Sequence, residues 1–166
     1  MELTINDEET TMMLIEKATQ FLIQYILAFR EIGAWGIIMA EPAAGLLSPR
    51  SLAKYSAAFI KRIAKEVQGE NFALVYHNCG AKIAHLPKIL ESEAEVYHFG
   101  IPMDLLQALN QAQEKVIIGG NLDPTAVFHN STPTEVKAQT AQLLEATAAY
   151  KAYIISSGCD IPPGTP

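Results

Sequence analysis

The hydrophobic residues of this chain alternate between long stretches with helical spacing and short, β-branched runs. Over residues 9–32, apolar side chains return every three or four positions, which predicts an amphipathic helix. Further helices are predicted from Pro49 to just before Gly69, over 81–91 and 103–113, and from Pro133 to about residue 150. Between the helices, short apolar runs predict buried strands at 36–40, 72–76, 95–99, 116–120 and 152–157.

Local signals support several of these boundaries. Ser48 before Pro49 is typical of a helix start, because a serine hydroxyl caps free backbone N–H groups and proline fits the first helical position. Thr132 and Glu135 have the spacing of a capping box. Trp35 is expected to pack the turn between the first helix and the first strand.

The β/α alternation predicts a single α/β domain over residues 1–166, with a parallel sheet covered by helices. About five strands make up a little over half of an eight-stranded TIM-like (β/α) barrel, so a partial barrel is one interpretation. An open, doubly wound sheet is the alternative. Neither a Gly-x-Gly-x-x-Gly nor a Walker-type loop follows a predicted strand, so the sequence does not support nucleotide binding.

Composition narrows the classes of function. Of the 166 residues, 49% are apolar and 18% are charged, which favours a folded chain over a disordered one. The net charge of −6 argues against binding to nucleic acid or to an anionic membrane surface. No basic-then-apolar leader and no apolar run of about 20 residues is visible. The sequence therefore predicts a cytoplasmic protein, in which two cysteines favour metal binding or reactive thiols over a disulfide.

Polar and ionisable residues collect at the carboxyl ends of the predicted strands. In both candidate architectures this edge of the sheet carries the active site, so their placement predicts an enzyme. In chain order these residues are Glu41, then His77 with Cys79, then His98 with Asp104, then Asn121 with Asp123, and finally Cys159.

His77, Cys79 and Cys159 form the donor set of a zinc site. Zinc prefers tetrahedral nitrogen and sulfur coordination, and three protein ligands with an open fourth position are typical of catalytic zinc. The alternative is that the cysteines are small buried residues and His77 is a hydrogen-bonded core histidine. The residues alone leave this choice open.

The other strand-end residues also have two interpretations. Glu41 is predicted to act as an exchangeable zinc ligand, as a base, or as a paired carboxylate. Asn121 and Asp123 either bind substrate or form a turn before Pro124. Asp104 is expected to cap a helix, and His98 is a weak candidate for the site.

Four stretches resemble the C-terminal half of the uroporphyrinogen decarboxylase superfamily. They are residues 39–49, 77–80, 119–124 and 157–166, in the order and spacing of the family. Within that superfamily, the chain resembles the corrinoid-dependent methyltransferases typified by methylcobamide:coenzyme M methyltransferase. The decarboxylases share the fold but lack the His-x-Cys and Gly-Cys pairs and work without metal.

The resemblance implies a β/α barrel with zinc at its C-terminal mouth, held by His77, Cys79 and Cys159. Glu41 would lie near the metal as the catalytic residue, and Asn121 and Asp123 would line the substrate pocket. The implied reaction activates a small thiol, which attacks the methyl group of a methylated corrinoid carried by a separate corrinoid protein.

The family pattern also includes earlier strands and a final helix that this sequence lacks. We therefore expect either a fragment or a barrel completed by another chain, and we predict a homo-oligomer or a partner that closes the barrel, because an open half-barrel exposes apolar surface. Two further functions stay open. A decarboxylase-like lyase would need an arginine-rich mouth, whereas Arg30, Arg50 and Arg62 all fall on predicted helices. The second alternative is a non-catalytic remnant that keeps the half-barrel fold.

Overall fold

The computed structural model describes residues 2–166, and its centre is one parallel sheet of five strands. The strands are β1 (Gly36–Ala40), β2 (Ala73–Asn78), β3 (Val96–Phe99), β4 (Ile117–Leu122) and β5 (Tyr153–Ser157). Each strand pairs in parallel with the next strand in the chain, so the sheet order is β1-β2-β3-β4-β5. A doubly wound sheet reverses its order at a switch point, whereas a β/α barrel keeps the chain order. The partial-barrel prediction is therefore confirmed, and the doubly wound alternative is wrong.

Helices occupy the connections between the strands. They are α1 (Glu2–Asn6), α2 (Glu8–Glu31), α3 (Pro49–Leu52), α4 (Ala58–Val67), α5 (Leu86–Leu90), α6 (Leu105–Ala112) and α7 (Pro133–Thr147). A π-helical turn, Ala53–Ala57, joins α3 to α4, and a second one, Pro124–His129, follows β4. The helix predicted over 81–91 is shorter than expected, because Pro87 lacks a backbone N–H and is accommodated only in the first turn of α5.

The predicted helix starts are formed by side-chain caps. The Ser48 hydroxyl accepts a hydrogen bond from the backbone N–H of the third residue of its helix. Asp104 caps α6 as expected, with its carboxylate 3.0 Å from the backbone nitrogen of Gln107. Thr132 and Glu135 form the predicted capping box at the start of α7. These short-range contacts fix where the helices begin and therefore how the strand ends are spaced.

The two faces of the sheet have different environments. Alternate strand residues pack with the helices in one apolar core, namely Met39, Leu74, Tyr76, Tyr97, Phe99 and Ile118. The intervening residues form the opposite surface, which we call the inner face and define by Ile38, Val75, Val96 and Ile154. Ile38 is 67% exposed and Ile154 is 51% exposed. This surface corresponds to the interior of a closed barrel.

The exposed apolar surface continues to the edge of the sheet at β1. Trp35 directly precedes this strand and is 86% exposed, so the prediction that it packs the turn is wrong. β1 is an edge strand, and packing partners are therefore available on one side of it only.

Within residues 2–166, none of the helices is both long enough and apolar enough to cross a membrane.

Candidate metal centre

His77, Cys79 and Cys159 converge at the carboxyl edge of the sheet. One donor atom from each residue lies within 4.8 Å of the others, and the two sulfur atoms are 3.3 Å apart. His77 is buried, and the two cysteines are half-buried reduced thiols. The structure therefore brings together the three residues that the sequence predicted as metal ligands.

The curvature of the sheet makes this convergence possible. Cys79 follows β2 and Cys159 follows β5, and in a flat sheet these strands would be about 14 Å apart, three strand spacings. The exit loops also meet backbone to backbone. A Cβ atom on Gly100 would lie 2.1 Å from the carbonyl oxygen of Cys79, and a Cβ on Gly158 would lie 3.3 Å from the Cα of Gly100. Two glycines thus allow the loops after β2, β3 and β5 to approach closely.

His77 lies within β2 rather than after it, which corrects the sequence-based boundary. The ladder pairs His77 with Ala40 on one side and His98 on the other, and pairing continues to Asn78. Because side chains alternate along a strand, His77 projects to the inner face between Tyr76 and Asn78, which project to the helices. Cys79 is the first residue beyond the strand and turns toward the same cavity edge as Cys159.

His98 is the neighbour of His77 on the inner face, and the two rings interact. The Nδ1 atom of His77 lies 3.2 Å from the backbone oxygen of His98 and 2.7 Å from its Nδ1 atom. Burial lowers the pKa of His77, and burial together with the proximity of His77 lowers the pKa of His98. Both imidazoles are therefore neutral at pH 7, as a metal-binding histidine must be.

Burial has the opposite effect on the cysteine. It raises the pKa of the Cys79 thiol to about 11, and the hydrogen bond and charge of Cys159 and the charge of Asp160 act in the same direction. The thiol is therefore protonated at neutral pH unless a cation is close. A metal ion supplies that cation, because thiolates rather than thiols bind zinc.

The geometry of the donors fits a zinc ion. Two thiolates bound at about 2.3 Å to tetrahedral zinc lie roughly 3.7 Å apart, so the observed 3.3 Å requires only a small opening. Cys79 and Cys159 would supply the soft sulfur donors that zinc favours, and His77 would supply the nitrogen. Three protein donors would leave a fourth position for an exchangeable ligand.

Glu41 is directed away from these three residues. Its carboxylate accepts hydrogen bonds from the hydroxyl groups of Ser56 and of Tyr76, the latter at 2.8 Å. Asn78 donates to the Tyr76 hydroxyl at 3.1 Å, and burial raises the pKa of Tyr76. This polar cluster lies on the helix-covered side of the sheet. The structure thus does not bring Glu41 together with the metal ligands, and its catalytic role stays a prediction.

Asn121 and Asp123 make contacts within the fold. The side-chain nitrogen of Asn121 lies 3.1 Å from the carbonyl oxygen of Gly100 and 2.9 Å from that of Met103, and it holds the loop after β3. The Asp123 carboxylate accepts hydrogen bonds from the backbone N–H groups two and three residues further on and caps the π-helical turn. Their predicted contact with substrate stays a prediction.

His77 and Cys159 line a cavity of about 380 Å³ on the inner face. Its walls are mostly apolar, with polar groups close to the metal donors. The polar residues that line it, besides His77 and Cys159, are His98, Ser156, Ser157 and Asp160. From the sequence, His98 is only a weak candidate and Ser156 is not a candidate, whereas the pairing of the strands places both on the face of His77.

The comparison with protein families identifies one match along the full sequence. The model of the uroporphyrinogen decarboxylase (URO-D) family matches residues 1–166. Among curated relatives, methylcobamide:CoM methyltransferase MtbA of Methanosarcina mazei is 29% identical over 161 residues, which are 96% of this chain and 46% of that protein. Uroporphyrinogen decarboxylase of Xanthomonas axonopodis pv. citri is 27% identical over 150 residues, which are 88% of this chain and 42% of that protein.

A solved structure has the same fold. A methyltransferase from Methanosarcina mazei superposes with a TM-score of 0.88 at 23% identity, over 100% of this chain and 48% of that one. The chain thus spans about half the length of the relatives that it matches. The fold and the family model agree with the motifs around His77 and Cys159: the chain belongs to the uroporphyrinogen decarboxylase family.

Proposed function

We propose that this chain carries the metal-binding half of a zinc-dependent methyltransferase, which moves a methyl group from a methylated corrinoid protein to a small thiol. The observation that carries the proposal is the convergence of His77, Cys79 and Cys159 beside an open cavity. The similarity to a methylcobamide:CoM methyltransferase supports it.

The chemistry follows from the donor set. Zinc bound here would lower the pKa of an acceptor thiol, so that the thiol reacts as a thiolate at neutral pH. In the proposed transfer, the acceptor sulfur would form a bond to the methyl carbon of the corrinoid donor as the bond between that carbon and cobalt breaks, and the bonding electron pair would stay with the donor. The thiol proton leaves to a base or to water.

The residues of this chain would hold and orient the reacting groups. Once the inner face is covered, the apolar walls of its cavity would exclude water from the thiolate, and His77 with the two cysteines would fix its position. Glu41 is our candidate for the proton acceptor. To reach the metal, its side chain would have to leave the hydroxyl groups of Ser56 and Tyr76.

The arginines of this chain give no support to a decarboxylase-like lyase. A porphyrinogen carries several carboxylates, and arginine is the side chain best suited to bind them. Here Arg30 donates to the backbone oxygen of Val67, and Arg62 pairs with Glu16. Both lie on helices, as does Arg50, and none of the three lines the inner-face cavity.

The zinc-loaded chain should transfer methyl groups from methylcobalamin to a thiol such as coenzyme M, because the ligand set is present in this half. The absorbance change of the corrinoid on demethylation measures the rate. Cys159→Ser should lower that rate at least about a hundredfold. Removal of one positioned group that stabilises charge in a transition state typically has an effect of this size. A zinc-loaded chain without any transfer, tested with several thiols and with partner fractions that complete the barrel, would instead support the non-catalytic remnant.

The same assay tests Glu41. If Glu41 accepts the thiol proton, Glu41→Gln should lower the rate by about 100-fold or more while the zinc content is kept. Tyr76→Phe is the matched control, because it removes one hydrogen bond to the carboxylate but leaves the base in place. Equal rates for Glu41→Gln and the unaltered chain would contradict the role of Glu41.

We also propose that the inner face is covered by a second copy of this chain or by a chain that completes the barrel. β1 and β5 are the edges of the sheet, and Ile38 and Ile154 are apolar and exposed next to them. Unpaired strand edges and a contiguous apolar surface favour association.

In light scattering and native mass spectrometry, the purified chain should be larger than a monomer. Ile38→Asp should weaken the association at least about tenfold, because a charge would be buried in an apolar interface. Leu144→Asp is the matched control, since Leu144 is also exposed but lies on α7, away from the inner face. A monodisperse, stable monomer at every concentration would contradict the proposal.

A further inference from the structure

A line of hydrogen bonds crosses the inner face and ends at His77. Beginning at β5, the hydroxyl group of Ser156 lies 2.9 Å from the backbone oxygen of Ser157. The same hydroxyl oxygen lies 2.6 Å from the Nε2 atom of His98. The Nδ1 atom of His98 then lies 2.7 Å from the Nδ1 atom of His77.

The backbone oxygen of Ser157 assigns a direction to these hydrogen bonds. A carbonyl oxygen only accepts, and we therefore assign the single hydroxyl proton of Ser156 to the hydrogen bond with Ser157. Ser156 therefore accepts from His98, which places the proton of that neutral imidazole on Nε2. His98 then has a lone pair on Nδ1, and the proton between the two rings belongs to Nδ1 of His77.

The backbone of His98 favours the same arrangement. Its carbonyl oxygen lies 3.2 Å from Nδ1 of His77 and can only accept. With its proton on Nδ1, a neutral His77 keeps its lone pair on Nε2. Metal-binding histidines are oriented in this way, with one ring nitrogen donating to a fixed acceptor and the other free for the ion.

We propose that His98 and Ser156 are positioning residues that hold His77 with its proton on Nδ1 and thereby reserve Nε2 for the metal. This inference deepens the proposed function and rests on His77 being a ligand. Ser156 precedes Cys159 by three residues, so the line also connects the histidine ligand to the loop that carries the second cysteine. The two residues thus determine both the protonation and the orientation of one ligand.

The tautomer can be measured without metal or activity. In long-range ¹H–¹⁵N spectra of the metal-free chain labelled at histidine, His77 should carry its proton on Nδ1 and His98 should carry its proton on Nε2. An imidazole in water prefers the proton on Nε2, so the state expected for His77 differs from the default. Finding His77 protonated on Nε2 in the unaltered chain would overturn the proposal, and this readout does not require any variant to fold.

Variants separate positioning from a general structural role. Ser156→Ala and His98→Phe should shift His77 toward the Nε2-protonated form and weaken zinc binding about 10- to 100-fold, measured by competition with a chromophoric chelator. Ser156→Thr keeps the hydroxyl and should restore both properties. Ser131→Ala is the matched control, because it also removes a hydroxyl that donates to a backbone oxygen, at 2.7 Å, but far from β5 in sequence.

The outcomes distinguish this inference from the proposed function. Unchanged zinc affinity and an unchanged His77 tautomer in Ser156→Ala would overturn the positioning role, whether or not methyl transfer occurs. Conversely, the expected tautomers and a lowered zinc affinity would support it even if the chain fails to transfer methyl groups.

Discussion

Replacing Cys79 with serine should remove the zinc that we expect to bind at one ion per chain. Serine keeps the size of the side chain, but its hydroxyl does not ionise near neutral pH and is a poor zinc ligand. The affinity for zinc should fall by more than about 100-fold. This loss is larger than the loss expected when a residue that only orients a ligand is removed. Elemental analysis after dialysis against a chelator, together with native mass, measures this loss.

The matched control for this substitution is His129→Gln. His129 also has a metal-binding side chain, but its Nδ1 atom lies 3.2 Å from the hydroxyl oxygen of Thr165 rather than near the two sulfur atoms. This variant should keep one zinc per chain. If Cys79→Ser retained full zinc content with native circular dichroism, His77, Cys79 and Cys159 would not be the ligand set.

Replacing Gly100 with alanine should have the largest effect on folding at the site. The added Cβ would lie 2.1 Å from the carbonyl oxygen of Cys79 and 3.2 Å from its Cα, so the backbone that carries the ligand must move. Overpacking typically costs about 1–3 kcal/mol, and a clash with backbone belongs at or above the upper end of that range. Urea unfolding measures the cost, and zinc competition should show weakened binding in the fraction that folds.

Gly80→Ala provides the comparison. Gly80 is the residue after Cys79, and a Cβ there would lie 3.6 Å from the Cα of Gly45, its nearest neighbour apart from the adjacent residues of the chain, which is ordinary van der Waals contact. This variant should therefore change both the free energy of unfolding and the zinc affinity little. Equal stability of the two alanine variants would show that the close approach at Gly100 is not required.

The fold follows from the sequence because its signals are short-range. Strand and helix positions are set by the spacing of apolar residues, and helix starts are set by caps such as Ser48 and Thr132. The chain-order pairing of the strands then brings Cys79 and Cys159 to one edge. These steps need no knowledge of which strand residues lie opposite one another.

The details of the site depend on the register of the paired strands, which the spacing of apolar residues in the sequence does not define. Continued pairing of β2 with β3 includes His77 in the strand and places His98 beside it. The pairing of Ala40 with His77 leaves Glu41 next in line, with its carboxylate on the hydroxyl of Tyr76 instead of at the metal. A shift of one residue in register would reverse which side chains face the cavity. For this reason the convergence of His77, Cys79 and Cys159 was predictable, whereas their hydrogen-bond partners were not.

The 3.3 Å approach of Cys79 and Cys159 has a consequence for the shape of the whole sheet. The sheet curves from β2 to β5, and an ion bound by both sulfur atoms would hold the carboxyl ends of these two strands at a fixed distance. That distance would set the curvature of the sheet. A chain that pairs with the edges at β1 and β5 must match this curvature. Because coupling between two binding events is reciprocal, zinc and the covering chain should each raise the affinity of the other by the same factor.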